Sequence, residues 1–209
     1  MRDDASTDTD GRAKRRDATR NRDRLLAAAR AVFAEHGHDV ALEEIARVAQ
    51  VSRATLYRNF ASREALAATI YADNLGHIEK RAAELADRPA GVLDLFEFVL
   101  DMQLSNRSVG SVLSRADTAL FANLAARTAD AFRPLARAGS RAGVLRPGIE
   151  LDDLLLAVLM AEVSVGETDP ALRGREHTRR RTILRHGLFT DRAVAAFEAE
   201  RGTAAADPP

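Results

Sequence analysis

The segment from Leu42 to Phe60, LEEIARVAQVSRATLYRNF, restricts the fold more than any other part of the 209-residue chain. Its apolar residues at positions 45, 49, 51, 56 and 60 have the spacing of two short helices joined by a turn, with all five pointing inward. Ala46 is small where the second helix would have to cross the first closely. The pattern therefore predicts a helix-turn-helix, a motif whose second helix enters the major groove of DNA.

The second helix of this motif exposes side chains that suit DNA. Once Ala54, Leu56 and Phe60 are assigned inward, the outward face contains no acid and comprises Arg53, Thr55, Tyr57, Arg58 and Asn59. Groups of these kinds hydrogen-bond phosphates and base edges. Ser52 can cap the helix and leave its first backbone amides near a phosphate. A helical hairpin that merely packs explains the apolar spacing, but not an acid-free face that contains an aromatic residue.

Charge is distributed unevenly along the chain, although the 31 bases and 31 acids balance. Twelve bases and six acids lie between Arg12 and Arg63, which gives this segment a balance of +6. A local excess of positive charge indicates a polyanionic partner. Within it, the stretch GRAKRRDATRNRDR precedes the first amphipathic helix. This stretch is either an arm that touches DNA or a solubilising tail.

The rest of the sequence predicts an all-α fold, because Ala, Leu, Arg and Glu dominate and runs of β-branched residues are absent. We expect a disordered tail over residues 1–20 and a helix-turn-helix DNA-binding domain over residues 21–67. A helical regulatory and dimerisation domain should follow over residues 68–200, and a second tail over residues 201–209. Beyond the motif, helices are predicted near residues 63–86, 92–103, 116–138, 151–166, 178–189 and 192–200.

Other chemistry has little support in the sequence. There is no cysteine, which excludes disulfides, thiolate nucleophiles and cysteine metal sites. The five histidines are scattered and no phosphate-binding or zinc motif occurs, so we predict no metal, no cofactor and no enzyme. No secretory signal begins the sequence, and its uncharged runs are far shorter than the ~20 residues that span a bilayer. A cytoplasmic protein without membrane association is therefore expected.

The stretch from Arg24 to Tyr71 resembles the TetR/AcrR family of one-component bacterial transcription regulators. The matching segments are LLAAARAVFAEHGHD and LEEIARVAQVSRATLYRNFASREAL, which include the core T-L-Y-x-x-F-x-S-[KR]-E at Thr55–Glu64. Two smaller echoes are GVLRPGIELDDLL and RHGLF. The resemblance covers about a quarter of the chain, and the remainder matches only as a helical region of the expected length.

The resemblance implies a role for each matching residue. Thr55, Tyr57 and Asn59 would contact DNA backbone or bases. Arg53 and Arg58 occupy variable positions of the recognition helix, where sequence choice usually resides. Arg63 matches a basic residue at the start of the fourth helix, which typically meets a phosphate.

Three positions depart from the family pattern. The usual Ser or Thr cap of the second helix is replaced by Ala41, a change that typically costs ~0.5–2 kcal/mol. Asp39 could cap the helix instead. The turn usually contains Gly, and Gln50 would have to adopt a left-handed conformation there. An aromatic residue often follows the glycine after the first helix, and this chain has His38.

The run LLLAVLMA at positions 154–161 is apolar all round, which predicts burial on every side. One face would pack on its own domain and the other on a partner subunit, unless this is the central helix of a monomer. The resemblance implies that the predicted helices over residues 151–166 and 178–189 pair with their copies in a homodimer. We expect Leu155, Leu159 and Ile183 in that interface.

The resemblance also implies an effector pocket among the middle helices. Its candidate lining residues are Phe96, Phe98, Met102, Phe121 and Met160, which predict a mainly apolar small-molecule effector. Glu162, Gln103 and Arg115 are candidate polar anchors. Ordinary core packing is the alternative for each apolar residue, and a surface position is the alternative for each polar one.

Together these expectations describe a homodimeric repressor that a small molecule releases from a palindromic operator in double-stranded DNA. One alternative is a DNA-organising protein of the same fold that senses no ligand. A weaker alternative is an enzyme whose helix-turn-helix serves only to localise it.

Overall fold

The structure, a computed structural model, describes residues 5–36, 40–105, 118–162 and 170–206. Regular structure in these ranges is helical, apart from one isolated antiparallel bridge between Leu145 and Phe189. The helices of the described ranges are α1 (Ala5–His36), α2 (Leu42–Ala49), α3 (Arg53–Asn59), α4 (Arg63–Glu84), α5 (Gly91–Ser105), α6 (Thr118–Arg141), α7 (Leu151–Glu162), α8 (Pro170–Leu188) and α9 (Asp191–Ala206). The prediction of an all-α fold is confirmed.

The first of two compact units comprises Met1–Ala72 and Ser105–Phe121. Its core is the apolar stripe of α1 packed against α2, α3 and the beginning of α4. Leu25, Phe33, Ile45, Leu56 and Ile70 are fully buried in this core. Because the apolar residues of α1 recur every three or four positions, they share one face, and that face covers the helix-turn-helix.

The turn of the helix-turn-helix has the strained geometry that the sequence predicts. Gln50 has φ 53° and ψ 45°, a left-handed conformation that is unfavourable for a residue with a Cβ by about 1–2 kcal/mol. The N–H of Val51 donates to the carbonyl of Ala46 at 3.1 Å and closes the turn. Ala41 makes no side-chain hydrogen bond as the cap of α2, and Asp39 lies outside the described residues.

The second unit comprises Asp73–Leu104 and Ala122–Pro209. Its core brings α5 together with α6, α7, α8 and α9, and the rings of Phe96 and Phe189 lie 5.5 Å apart within it. Glu97 of α5 is also buried in this unit. Its carboxylate accepts hydrogen bonds from Arg181 and Arg185 of α8, so the buried charge is paired.

The two smaller sequence echoes contact each other in this unit. The N–H of Arg146 donates to the carbonyl of Leu188, and the N–H of Thr190 donates to the carbonyl of Val144, each at 2.9 Å. The guanidinium of Arg146 also donates to the carbonyl of His186 at 2.8 Å. The segment before α7 is therefore fastened to the end of α8.

The helix ends differ from the sequence prediction at both termini. The expected disordered tails are helical where they are described, because α1 begins at Ala5 and α9 continues to Ala206. Both segments lack proline up to those limits, and their alanines favour the continuation of a helix from the folded part. The boundary predicted between residues 67 and 68 falls inside α4.

Candidate nucleic-acid interface

Helix α3 buries one side and exposes the other. Leu56 and Phe60 are buried four residues apart on the inner side, and Tyr57 is 45% exposed on the outer one. Ala54 was expected to point inward but is exposed, because two residues along a helix rotate a side chain by about 200° from Leu56. We call the outer set the recognition face, and it comprises Arg53, Thr55, Tyr57, Arg58 and Asn59.

Hydrogen bonds within α3 hold three residues of the recognition face. The hydroxyl of Thr55 lies 2.9 Å from that of Ser52, whose oxygen also accepts the N–H of Thr55 at 3.1 Å and caps the helix as predicted. Arg58 donates through Nε to the carbonyl of Ala54 at 3.1 Å. Asn59 donates through Nδ2 to the carbonyl of Thr55 at 2.8 Å. Each of these side chains thus has a hydrogen-bond partner on its own helix or at its cap.

Arg53 and Tyr57, the other two residues of the recognition face, bond an acid that the sequence did not predict as their partner. Glu43, the second residue of α2, accepts a hydrogen bond from Arg53 Nη2 at 2.7 Å and another from the Tyr57 hydroxyl at 3.1 Å. Both bonds end on the same oxygen, Oε1. A hydrogen bond from its own backbone N–H, then the Tyr57 hydroxyl and the Arg53 charge, lower the pKa of Glu43. Periodicity within α3 alone could not reveal this contact, since Glu43 reaches the face only through the crossing of two helices.

Two arginines of α1 support the turn and the end of α3. Arg24 Nη2 donates to the carbonyl of Gln50 at 3.1 Å, which satisfies an acceptor in the strained turn. The guanidinium carbon of Arg22 lies 4.8 Å from the centre of the Phe60 ring. The last part of the basic stretch therefore braces the helix-turn-helix.

Arg63 begins α4, four residues after the end of α3. Its Nε lies 3.6 Å from Glu64 Oε1. Ser62 caps α4 by accepting the N–H of Ala65 at 3.2 Å. The pKa of Glu64 is lowered by its own backbone N–H and by the Ser62 side chain. The negative charge of Glu64 therefore stabilises the start of α4.

A second exposed surface lies on α7 and α8 and is apolar. Leu154, Ala157, Val158 and Ala161 are buried in the core of the second unit. The exposed residues on the other side form what we call the apolar face, Leu156 (56% exposed), Leu159 (53%), Met160 (53%) and Ile183 (67%). Of the predicted interface residues, Leu159 and Ile183 belong to this face, whereas Leu155 is half-buried against the core.

The residues predicted to line an effector pocket are spread over the structure. Phe96 is fully buried in the core, and Phe98 and Met102 are partly buried against that core. Phe121 lies in the first unit, where its ring centre is 6.0 Å from that of Tyr71. Met160 belongs to the apolar face, and the side chain of Glu162 lies outside the described part of the structure.

The second unit contains a cavity of about 490 Å³ between α4, α5 and α9. Phe98 is the one predicted pocket residue among its lining residues, which are Arg81, Glu84, Asp94, Glu97, Phe98, Asp101, Phe197 and Arg201. The lining is more acidic than expected, and burial raises the pKa of Asp94. Elsewhere in this unit Gln103 donates through Nε2 to the carbonyl of Val158 at 3.0 Å, while its buried Oε1 meets no donor among the described residues.

Comparisons with known proteins agree with this architecture. Residues 25–70 match the family described as bacterial regulatory proteins, tetR family. No curated protein sequence matches the chain. Among the described residues, no helix has the length and apolar character needed to cross a bilayer.

Solved structures of similar fold cover most of the chain. A TetR transcription regulatory protein from Mycobacterium vanbaalenii is 25% identical over 84% of this chain and 99% of its own, with a TM-score of 0.55. A TetR transcriptional regulator from Streptomyces coelicolor is 27% identical over 81% of this chain and 99% of its own, with a TM-score of 0.55. A gamma-butyrolactone receptor described as ArpA-like is 20% identical over 88% of this chain and 96% of its own, with a TM-score of 0.61.

Proposed function

Since this chain is a TetR family transcriptional regulator, we propose that it is a homodimeric repressor that releases a palindromic operator when a small molecule binds its second unit. The observation that carries the proposal is the recognition face on α3. It offers guanidinium, phenol, hydroxyl and amide groups on the second helix of a helix-turn-helix whose core is fully packed. Such a face suits the major groove.

We assign distinct roles to the residues around this face. Arg53 and Arg58 read base edges, where a guanidinium can bond a guanine through two donors. Tyr57 and Arg63 bond phosphates, together with the amides at the start of α3 that Ser52 leaves accessible. Thr55 and Asn59 contact the DNA at the same face.

The apolar face supports assembly into a homodimer. Four large apolar side chains on α7 and α8 are more than half exposed, a group that a soluble single chain would rarely leave in water. A two-fold axis through this face would pair α7 and α8 with their copies. A two-fold protein presents its two recognition helices to two half-sites, which makes the operator a palindrome.

The second unit is proposed to bind the effector. Its cavity of about 490 Å³ offers space for a small molecule, and Asp94 and Asp101 in the lining offer hydrogen-bond acceptors. A mainly apolar effector would contact Phe98 and Phe197 of this lining, whose other residues are charged. A fold neighbour described as a gamma-butyrolactone receptor supports small-molecule binding by this architecture. A coupling of ~1–3 kcal/mol would weaken operator affinity roughly 5- to 150-fold.

Selection from a random duplex library with the full-length chain tests the proposal. We expect enrichment of a two-fold symmetric sequence and a footprint spanning two half-sites. Selection of an asymmetric site would contradict the homodimeric reading. Uniform binding to every sequence would favour the DNA-organising alternative.

The sensor role needs a separate measurement. Apolar compounds are screened by thermal shift, and hits are retested for operator release. A true effector at about 100 times its dissociation constant should stabilise the chain by ~2.7 kcal/mol. Reciprocal coupling then requires that operator and effector weaken each other by the same factor. A compound that stabilises the chain but leaves operator affinity unchanged is not the effector.

A further inference from the structure

The carboxylate of Glu43 bonds two of the side chains that are proposed to contact DNA, Arg53 and Tyr57. It accepts hydrogen bonds from Arg53 at 2.7 Å and from Tyr57 at 3.1 Å through one oxygen atom. Arginine and tyrosine are also the groups with which proteins bond DNA phosphates. A negatively charged oxygen held by a guanidinium and a phenol hydroxyl has the charge and the acceptor chemistry of a phosphate oxygen.

A hydroxyl has a single proton, and that of Tyr57 is donated to Glu43. Tyr57 can therefore donate to a phosphate only after it has left Glu43. Arg53 differs, because its guanidinium carries five N–H groups and only the bond through Nη2 is made to Glu43. Arg53 can thus keep its hydrogen bond to Glu43 and still present donors to a base edge.

These two contacts should affect binding to random DNA and binding to the operator differently. Binding to phosphates alone, which dominates on random DNA, must displace Glu43 from Tyr57 and bring a phosphate close to a carboxylate. Binding to the operator also displaces Glu43 from Tyr57, because Tyr57 bonds a phosphate in both modes. Reading of a guanine by Arg53, however, retains the Glu43–Arg53 ion pair, which also orients the guanidinium. The acid therefore opposes the sequence-independent mode more than the sequence-specific one.

We propose that Glu43 is a specificity-determining residue that mimics a phosphate at Arg53 and Tyr57 and suppresses binding to DNA of the wrong sequence. This inference rests on the proposed function, because it requires α3 to be the recognition helix. It adds to that function a residue outside α3 that competes with DNA phosphates for Arg53 and Tyr57.

A comparison of Glu43→Gln with Glu44→Gln isolates this role. Glu44 is the next residue of α2, and its carboxylate bonds Arg47 of the same helix at 2.9 Å rather than the recognition face. Both variants remove one negative charge from neighbouring positions, so their general electrostatic effects match. Circular dichroism confirms that each variant keeps its helices.

Affinities for a random duplex and for the selected operator are measured by fluorescence anisotropy over a range of salt concentrations. Relative to Glu44→Gln, we expect Glu43→Gln to bind the random duplex about two- to fivefold more tightly, the effect of one exposed ion pair. Its salt dependence should steepen by about one unit of slope, as Arg53 becomes available to a phosphate. Affinity for the operator should change less, so discrimination falls.

A background that lacks both partners of Glu43 tests whether the effect acts through them. In an Arg53→Ala and Tyr57→Phe background, Glu43→Gln should have no more effect than Glu44→Gln. Equal effects of the two glutamate variants in the otherwise unchanged chain would show that only general charge matters, and weaker binding of both DNAs by Glu43→Gln would show that Glu43 is merely a structural brace. Failure of the unchanged chain to bind any duplex would overturn the proposed function itself.

Discussion

The recognition face on α3 and the apolar face on α7 and α8 are both exposed, but their side chains are in opposite chemical states. The polar groups on α3 already have partners, because Glu43, Ser52 and backbone carbonyls of α3 occupy them. The large side chains of the apolar face, such as Leu156 and Ile183, are more than half exposed to solvent. Each side chain of the recognition face thus has at least one hydrogen-bond partner before it meets DNA, whereas the apolar side chains are largely exposed to water.

This difference predicts different energetics for the two partners. DNA binding by the recognition face exchanges one set of hydrogen bonds for another, and each exchange contributes only about 0.5–1.5 kcal/mol net. Association through the apolar face removes hydrocarbon from water, which contributes roughly 25 cal/mol per Å². Single substitutions should therefore have their largest effects on the apolar face, and sequence discrimination should arise from several small terms.

The largest effect is expected for Leu159→Asp. An unpaired carboxylate buried between subunits costs several kcal/mol, so the dimer should dissociate while each chain stays helical. Leu155→Asp is the matched comparison, because Leu155 packs on the core of its own unit and its replacement should lower the free energy of unfolding instead. Analytical ultracentrifugation and thermal unfolding separate the two results. A Leu159→Asp variant that remains dimeric would move the interface away from the apolar face.

The next largest effect is expected for Arg53→Ala and Arg58→Ala. If either arginine bonds a guanine through two donors, its loss should lower discrimination between operator and random DNA by ~1–3 kcal/mol. Competition binding with both duplexes measures this difference. Equal losses on the two DNAs would assign the residue to phosphates and remove it from sequence reading.

Arg63→Ala and Tyr57→Ala should act more uniformly. Both residues are assigned to phosphates, so affinity should fall by the same factor on operator and random DNA. Loss of Arg63 should also reduce the salt slope by about one unit, whereas loss of the uncharged Tyr57 should leave the slope unchanged. Titrations at several salt concentrations give both quantities. A slope unaffected by Arg63→Ala would place that cation away from the DNA.

The smallest effect is expected in the turn itself. Gln50→Gly relieves the left-handed strain at φ 53° and should raise the free energy of unfolding by up to about 1 kcal/mol. Gln50→Ala is the control, since it removes the same side chain but keeps a Cβ in the strained conformation. Thermal unfolding should rank the glycine variant above the alanine variant. The reverse order would mean that the turn is not strained.

The helix-turn-helix could be predicted from sequence because its signals are local. The apolar spacing, the Ser52 cap and the left-handed Gln50 each depend on residues within one or two turns of chain. Glu43 could not be predicted as a partner of Arg53, because that contact depends on the angle at which α2 and α3 cross.

The second unit illustrates the same limit. The run of apolar residues around α7 predicted burial on both sides of the helix. It could not show that Leu155 packs on the core while Leu159 is exposed, because the sequence does not reveal which side of the helix faces the core. The effector site was the least predictable part. Phe96, Phe121 and Met160 share an apolar character, and only the tertiary arrangement shows that they lie in three different environments.

The buried Glu97 has a consequence for the order in which the protein is made. Its partners Arg181 and Arg185 follow it by 84 and 88 residues. The ribosome therefore synthesises Glu97 long before the two arginines that pair with it. The core of the first unit, in contrast, uses residues between Leu25 and Ile70. We therefore expect the helix-turn-helix to fold early on the ribosome, while the second unit waits for the end of α8. A chain that stops before residue 181 would lack both partners of Glu97 and also Leu188, Phe189 and Phe197 of the core, so its second unit should remain unfolded.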